Sequence, residues 1–224
     1  MPSFKDGMNW LAANFGQAMD AATAGTPFGR HLLMAIATQE TSSIWLKLID
    51  TRPPGEILAL CVGDTLDAPN RSAFPKTRAE LEAAPRGKEM FKVAREALGA
   101  VAEVNKDYEK VFNANPNKFC HGYGMFQYDL QFFKEDPDYF LERKWATFEG
   151  TLGKCLNELR TKLRKVYGPD KTSLTHDESV YVAIAYNKGS ADTTKDFKQG
   201  FKDGAGKFYG ENIHSFLTIA GTLV

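Results

Sequence analysis

Apolar positions recur along most of this chain every three or four residues, the spacing of helices that bury one face. Trp10, Leu11, Phe15, Ala18 and Met19 mark a first helix over about Met8 to Ala22, which Thr23-Ala24-Gly25-Thr26-Pro27 ends. Phe91, Ala94, Leu98, Val101, Val104, Tyr108 and Val111 recur with charged residues between them. They predict one long amphipathic helix from Lys88 to Phe112, broken or bent near Gly99. Phe148, Leu152, Leu156, Leu159, Leu163 and Val166 predict another from about Arg143 to Tyr167. Two capping boxes, Thr77-Arg78-Ala79-Glu80 and Thr175-His176-Asp177-Glu178, open further helices. The second of these runs through Val180 to Ala185 and stops at Tyr186-Asn187-Lys188-Gly189, with Gly189 as a natural C-terminal cap. A final helix is expected from about Asn212 to Ala220.

Two segments depart from that periodicity. Ile57-Leu58-Ala59-Leu60-Cys61-Val62 has no polar interruption and lies between Arg52-Pro53-Pro54-Gly55 and Gly63-Asp64-Thr65, which makes it the best strand candidate. His31-Leu32-Leu33-Met34-Ala35-Ile36-Ala37-Thr38-Gln39-Glu40 is an apolar run closed by a glutamate and followed by Thr41-Ser42-Ser43. A helix apolar on every side is a buried one, so the chain carries Glu40 inward. The small hydroxyl residues favour ending the helix there, which would put Glu40 in its last turn at the negative end of the dipole. Desolvation and a like-signed dipole end both raise a carboxyl pKa, and a carboxyl that keeps its proton near neutrality is a candidate general acid. The competing reading is a helix-end glutamate turned to solvent or paired with Arg30 or Lys47.

Composition narrows the partners. The 224 residues suit one large domain, and 28 Lys plus Arg balance 28 Asp plus Glu. No global field therefore draws the protein to nucleic acid or to an anionic membrane, and a ligand is uncharged or recognised locally. No apolar stretch is long enough to cross a bilayer. Cys61, Cys120 and Cys155 show neither metal-ligand spacing nor an even disulfide framework. Buried thiols are expected, with a Cys61 to Cys120 bridge as the alternative. His31, His121, His176 and His214 share no metal motif, and Asp64 and Asp67 read as turn carboxylates without the spacing of an EF-hand loop. No metal and no cofactor are expected. Met1 to Gly7 lacks the basic start and apolar core of a signal peptide, so the protein either starts in the cytoplasm or is a domain cut from a longer export product.

Three short segments remain: Gln39-Glu40-Thr41-Ser42, the glycine-rich aromatic loop Tyr123-Gly124-Met125-Phe126-Gln127, and Ala185-Tyr186-Asn187-Lys188-Gly189. In this order they resemble the landmarks of the lysozyme-like lytic transglycosylases, a Glu-Ser ending a helix, a Gly-Leu-Met-Gln loop and an Ala-Tyr-Asn-x-Gly helix end. Goose-type lysozymes share that fold. The resemblance implies a mainly α, lysozyme-like α+β fold over residues 1–224 as a single catalytic domain with a small β element. It also implies cleavage of the β-1,4 bond between N-acetylmuramic acid and N-acetylglucosamine in peptidoglycan, a lyase or muramidase activity placed by function in the periplasm or cell wall. Glu40 matches the family's catalytic acid, and Thr41 stands where serine is usual. Gly124, Met125, Phe126 and Gln127 match the loop that lines the sugar groove beside Tyr123. Tyr186 and Asn187 match the pair that approaches the glutamate and the sugar acetamido group.

One departure is large: residues 46–119 separate the glutamate from the loop, where typical members have a few tens of residues, and form a family-atypical insertion. Asp64, Asp67 and Asp129 are the possible second carboxylates of a two-carboxylate hydrolase. A lysozyme or chitinase-like hydrolase acting on a related N-acetylated glycan, a catalytically inactive glycan-binding module and a helical scaffold using the Lys88 to Phe112 helix are the competing readings.

Overall fold

The computed structural model describes residues 2–223 and is mainly helical, with a small three-stranded antiparallel sheet. Met1, part of the N-terminal segment read above, lies outside the described residues. Contacts divide the chain into two compact units, Met1–Ser42 with Leu152–Val224, and Ser43–Thr151. The boundaries fall inside two helices, and the expected insertion 46–119 lies within the second unit together with the Gly124 to Gln127 loop.

The first unit holds α1 (Phe4–Thr23), most of α2 (Arg30–Trp45) and, after the second unit, most of α8 (Phe148–Tyr167), α9 (His176–Lys188) and α10 (Tyr209–Ala220). Helix α1 starts earlier than its apolar face predicts because Ser3 and Asp6 form a capping box, with the Ser3 N–H donating to the Asp6 carboxylate at 2.8 Å. In α2, Leu32 to Thr38 are all buried, as the unbroken apolar run requires.

That helix does not end at Thr41-Ser42-Ser43. The Thr38 and Thr41 hydroxyls donate back to the carbonyls of Met34 (2.7 Å) and Ala37 (3.2 Å), so the backbone continues to Trp45. Glu40 consequently lies more than a turn before the end, and the expected dipole contribution to its pKa falls away. Helix α9 opens on the Thr175 capping box and closes on Gly189 at φ +87°, as read from the sequence. Helix α10 begins at Tyr209 rather than Asn212, because the Glu211 side chain accepts the Phe208 N–H at 2.9 Å and caps the helix there. The Phe4 and Phe216 rings, 4.9 Å apart, pack α1 on α10.

In the second unit the expected strand Ile57 to Val62 is replaced by α3 (Pro54–Leu60), leaving only Val62–Gly63 as β1. Pro53 at the N-cap and Pro54 in the first turn suit a helix start, and a short all-apolar run satisfies buried helix and buried strand alike. After α4 (Arg78–Glu82), capped by Thr77, the expected long helix is two, α5 (Gly87–Ala102) and α6 (Lys106–Ala114). The break falls after Ala102, where Asn105 accepts the Asp107 N–H at 3.0 Å, and not at Gly99. Arg95 stacks on the Phe112 ring at 3.8 Å and donates to the Phe112 carbonyl at 2.7 Å, which folds α6 back on α5.

The sheet joins β1 to β2 (Gly122–Tyr123) and β2 to β3 (Tyr128–Asp129), with Gly63 opposite Gly122 and Tyr123 opposite Tyr128. A 3-10 turn at Leu130–Lys134 and α7 (Pro137–Leu141) follow. Lys144–Ala146 forms a separate 3-10 turn because Arg143 is left-handed at φ +55°, so α8 starts at Phe148 instead of Arg143. Cys61, Cys120 and Cys155 are buried and stand outside any disulfide. Among the described residues no helix is long and apolar enough to cross a membrane.

Candidate functional site

The chemistry of the first unit centres on Glu40. Its Oε1 accepts a hydrogen bond from the Tyr209 hydroxyl at 2.8 Å. As a whole residue Glu40 keeps some solvent exposure, but its carboxyl is enclosed by protein, and the carboxyl's own surroundings set its protonation. Desolvation pushes the pKa from an ordinary 4.5 up to about 7, against the lowering pull of the Tyr209 hydroxyl. Arg30 supplies no counter-charge: it pairs with Asp20 at 3.2 Å, and the group holding Glu40 is a neutral phenol.

Tyr209 is 2% exposed. Burial first, and the neighbouring Glu40 second, push its pKa well above the usual phenol range, so it stays a donor at any pH where Glu40 titrates. With Oε1 occupied by that donor, the acid proton of neutral Glu40 resides on Oε2. Behind them Tyr186 donates to the Cys155 thiol, and burial raises the pKa of both groups well above their ordinary values. The centre, with the Glu158 carboxylate near enough to act on Cys155 and Tyr186, therefore sets a carboxyl with a near-neutral pKa beside phenol and thiol groups that hold their protons through neutral pH. Such a carboxyl can give up a proton and take one back at the same pH.

The loop before α10 sets Tyr209. Gly200 has φ +90°, and a Cβ there would lie 2.7 Å from Tyr209 Cβ and 3.0 Å from Asn187 Oδ1. Asn187 Oδ1 in turn accepts the Phe201 N–H at 2.9 Å, tying the end of α9 to the same loop. Thus Tyr186 and Asn187, paired in the sequence, divide their work: Tyr186 points into the protein toward Cys155, and Asn187 fixes the loop that carries Tyr209. Thr41 is buried, with its hydroxyl on the Ala37 carbonyl.

In the second unit, Tyr123, Met125 and Phe126 are 0%, 0% and 1% exposed, backbone included, and Gly124 is buried with them, so these residues pack the core and present neither side chain nor backbone to solvent. The Tyr123 hydroxyl donates to the Cys120 carbonyl at 2.8 Å, and its ring lies 5.3 Å from Phe140 and 5.4 Å from Trp145. Gly124 turns the chain at φ +80°. Gln127 is the partly exposed member, left-handed at φ +53°, with its Nε2 donating to the carbonyls of Gly124 (3.0 Å) and Cys61 (3.3 Å). The facing pair Gly63 and Gly122 clears space for it: a Cβ on Gly63 would stand 3.0 Å from Gln127 Oε1.

The candidate second carboxylates are already engaged within that unit. Arg71, itself buried, binds Asp64 at 3.2 Å and Asp129 at 2.6 Å, and Lys118 binds Asp67 at 2.9 Å. His121 is fully buried beside them, and burial, then Arg71, lower its pKa and keep it neutral.

Sequence reasoning missed Tyr209, Cys155 and Gly200. A signal for Tyr209 existed: Phe208-Tyr209-Gly210 puts an aromatic polar tip directly after a glycine-rich loop, where a helix opens. The chain matches none of the protein-family models, curated proteins or solved structures with which it was compared.

Proposed function

We propose that this protein is a lytic transglycosylase of lysozyme-like architecture that cleaves the β-1,4 bond between N-acetylmuramic acid and N-acetylglucosamine in peptidoglycan, with Glu40 as the lone acid and base. The observation that carries the reading is the enclosed Glu40 carboxyl, with a pKa of about 7 and a hydrogen bond from Tyr209. The order of the Glu40, Gly124 to Gln127 and Tyr186-Asn187 segments along the chain supports it.

In this mechanism Glu40 Oε2 donates its proton to the glycosidic oxygen as the bond to the muramyl C1 breaks, leaving an oxocarbenium-like sugar and a Glu40 carboxylate. The carboxylate then takes the proton of the muramyl C6 hydroxyl while its oxygen closes on C1. The product is a 1,6-anhydro sugar, and Glu40 returns to its neutral form with no water consumed. Tyr209 steadies the carboxylate between the two steps without becoming charged. Asp64 and Asp129 shared by Arg71, and Asp67 held by Lys118, read as structural anions, which favours the one-carboxylate route over a hydrolase. Asn187, exposed at the end of α9 in the unit that carries Glu40, is the proposed sugar-binding group.

The test is a digest of purified peptidoglycan beside chitin oligomers, followed by product mass. Anhydro-muramyl ends from peptidoglycan alone support the proposal. Reducing ends would make the protein a hydrolase, and binding without release would make it a glycan-binding module.

A further inference from the structure

Two histidines that share no motif in the sequence meet on the surface of the first unit. His176 opens α9 and His214 lies midway along α10, yet His176 Nε2 stands 3.0 Å from His214 Nδ1. The Asp177 carboxylate is the third member, and one ligand atom from each residue falls within 4.8 Å of the others. All three residues are exposed. We propose that His176, Asp177 and His214 form a binding site for a first-row divalent ion of the zinc class, separate from the Glu40 centre.

The donor set selects the ion. Two imidazoles and one carboxylate suit Zn²⁺ and its neighbours, whereas Ca²⁺ and Mg²⁺ take oxygen ligands. Two nitrogens each about 2.0–2.1 Å from a tetrahedral ion stand about 3.3 Å apart, so the observed 3.0 Å needs only a small opening of the pair. The rings are already oriented: Phe197 stacks on His214 with centroids 5.1 Å apart, and Tyr181 braces Phe197 at 5.4 Å. Glu178 is not available, being held by the Thr175 capping box and by Lys171 at 2.5 Å. Asp177 is therefore the carboxylate that neutralises half of the ion's charge, and water completes the coordination. A bound ion ties the first turn of α9 to the middle of α10. Those helices carry Asn187 and Tyr209 elsewhere along their length, so the site stabilises the unit without touching the reacting groups.

The test is calorimetric titration of tag-free full-length protein with ZnCl2, with CaCl2 as the control, and thermal melts at several Zn²⁺ concentrations. One saturable Zn²⁺ site per chain is expected, with a Tm that climbs with free Zn²⁺ as mass action requires. His176→Ala and His214→Gln should each weaken binding by more than about tenfold, the effect expected of losing even an outer partner of a metal ligand. Circular dichroism of the variants separates loss of a ligand from loss of fold. Absence of saturable binding, or unchanged binding in a folded His176→Ala/His214→Gln double variant, would overturn the proposal while leaving the Glu40 reading intact.

Discussion

Tyr209 and Glu40, 169 positions apart in the chain, share a 2.8 Å hydrogen bond in which the phenol is the donor. That direction fixes the sign of its effect: the bond favours the carboxylate and lowers the Glu40 pKa, while burial raises it further than the bond lowers it. Tyr209→Phe should therefore move the alkaline limb of the pH–rate profile upward by about one pH unit, the size of a hydrogen bond to a charged group, and lower kcat. A kcat loss with the limb unmoved would assign Tyr209 a purely structural role.

Glu40 also makes stability depend on pH. Its folded pKa of about 7 exceeds the unfolded value, so the folded state binds the extra proton between about pH 4.5 and about pH 7. Its contribution is fully present below that window and is lost as pH rises through it, at an expense of up to about 3 kcal/mol above pH 7. Glu40→Gln has no proton to lose. The variant should match the wild type near pH 4 and exceed it by up to about 3 kcal/mol near pH 8, as measured by denaturant unfolding at each pH.

The helical pattern, the Thr175 capping box and the Thr77 N-cap were legible because each rests on contacts a few residues apart, although Glu80 accepts the Lys76 N–H and so leaves the Thr77 box half-formed. The misread elements are those decided by competition. Thr38 and Thr41 could end α2 or bond back to it, and they bond back. Ile57 to Val62 could be strand or helix, and Pro53-Pro54 tips it to helix. Tyr209 was hidden because its partner is distant in sequence, so no spacing reports the pair. The Tyr123 to Phe126 cluster was visible as aromatic, but only tertiary packing tells that these rings face the core.

Gly200 offers a test of the loop's role. A side chain at φ +90° is strained, and its Cβ would press on Tyr209 and Asn187. Gly200→Ala should lower stability by about 1–3 kcal/mol and shift the pH–rate profile in the direction of Tyr209→Phe. A stability loss with an unaltered profile would show that the loop does not set Tyr209.

Tyr123→Phe should lower stability by about 1 kcal/mol, for the lost bond to the Cys120 carbonyl, and leave KM unchanged. A large rise in KM would mean that the Tyr123 side chain reaches the glycan.

The three cysteines are buried, and burial pushes the Cys120 and Cys155 thiols well up, so little thiolate is available to react. Ellman's reagent should find no reactive thiol in the folded protein and three after unfolding.

The most direct measurement compares wild type and Glu40→Gln for release of soluble fragments from purified peptidoglycan at equal folded concentration. The account predicts steady release by the wild type that weakens as pH rises through about 7, and release by the variant reduced by about a thousandfold or more, since general acid and general base are lost together. Substantial release by Glu40→Gln would contradict it.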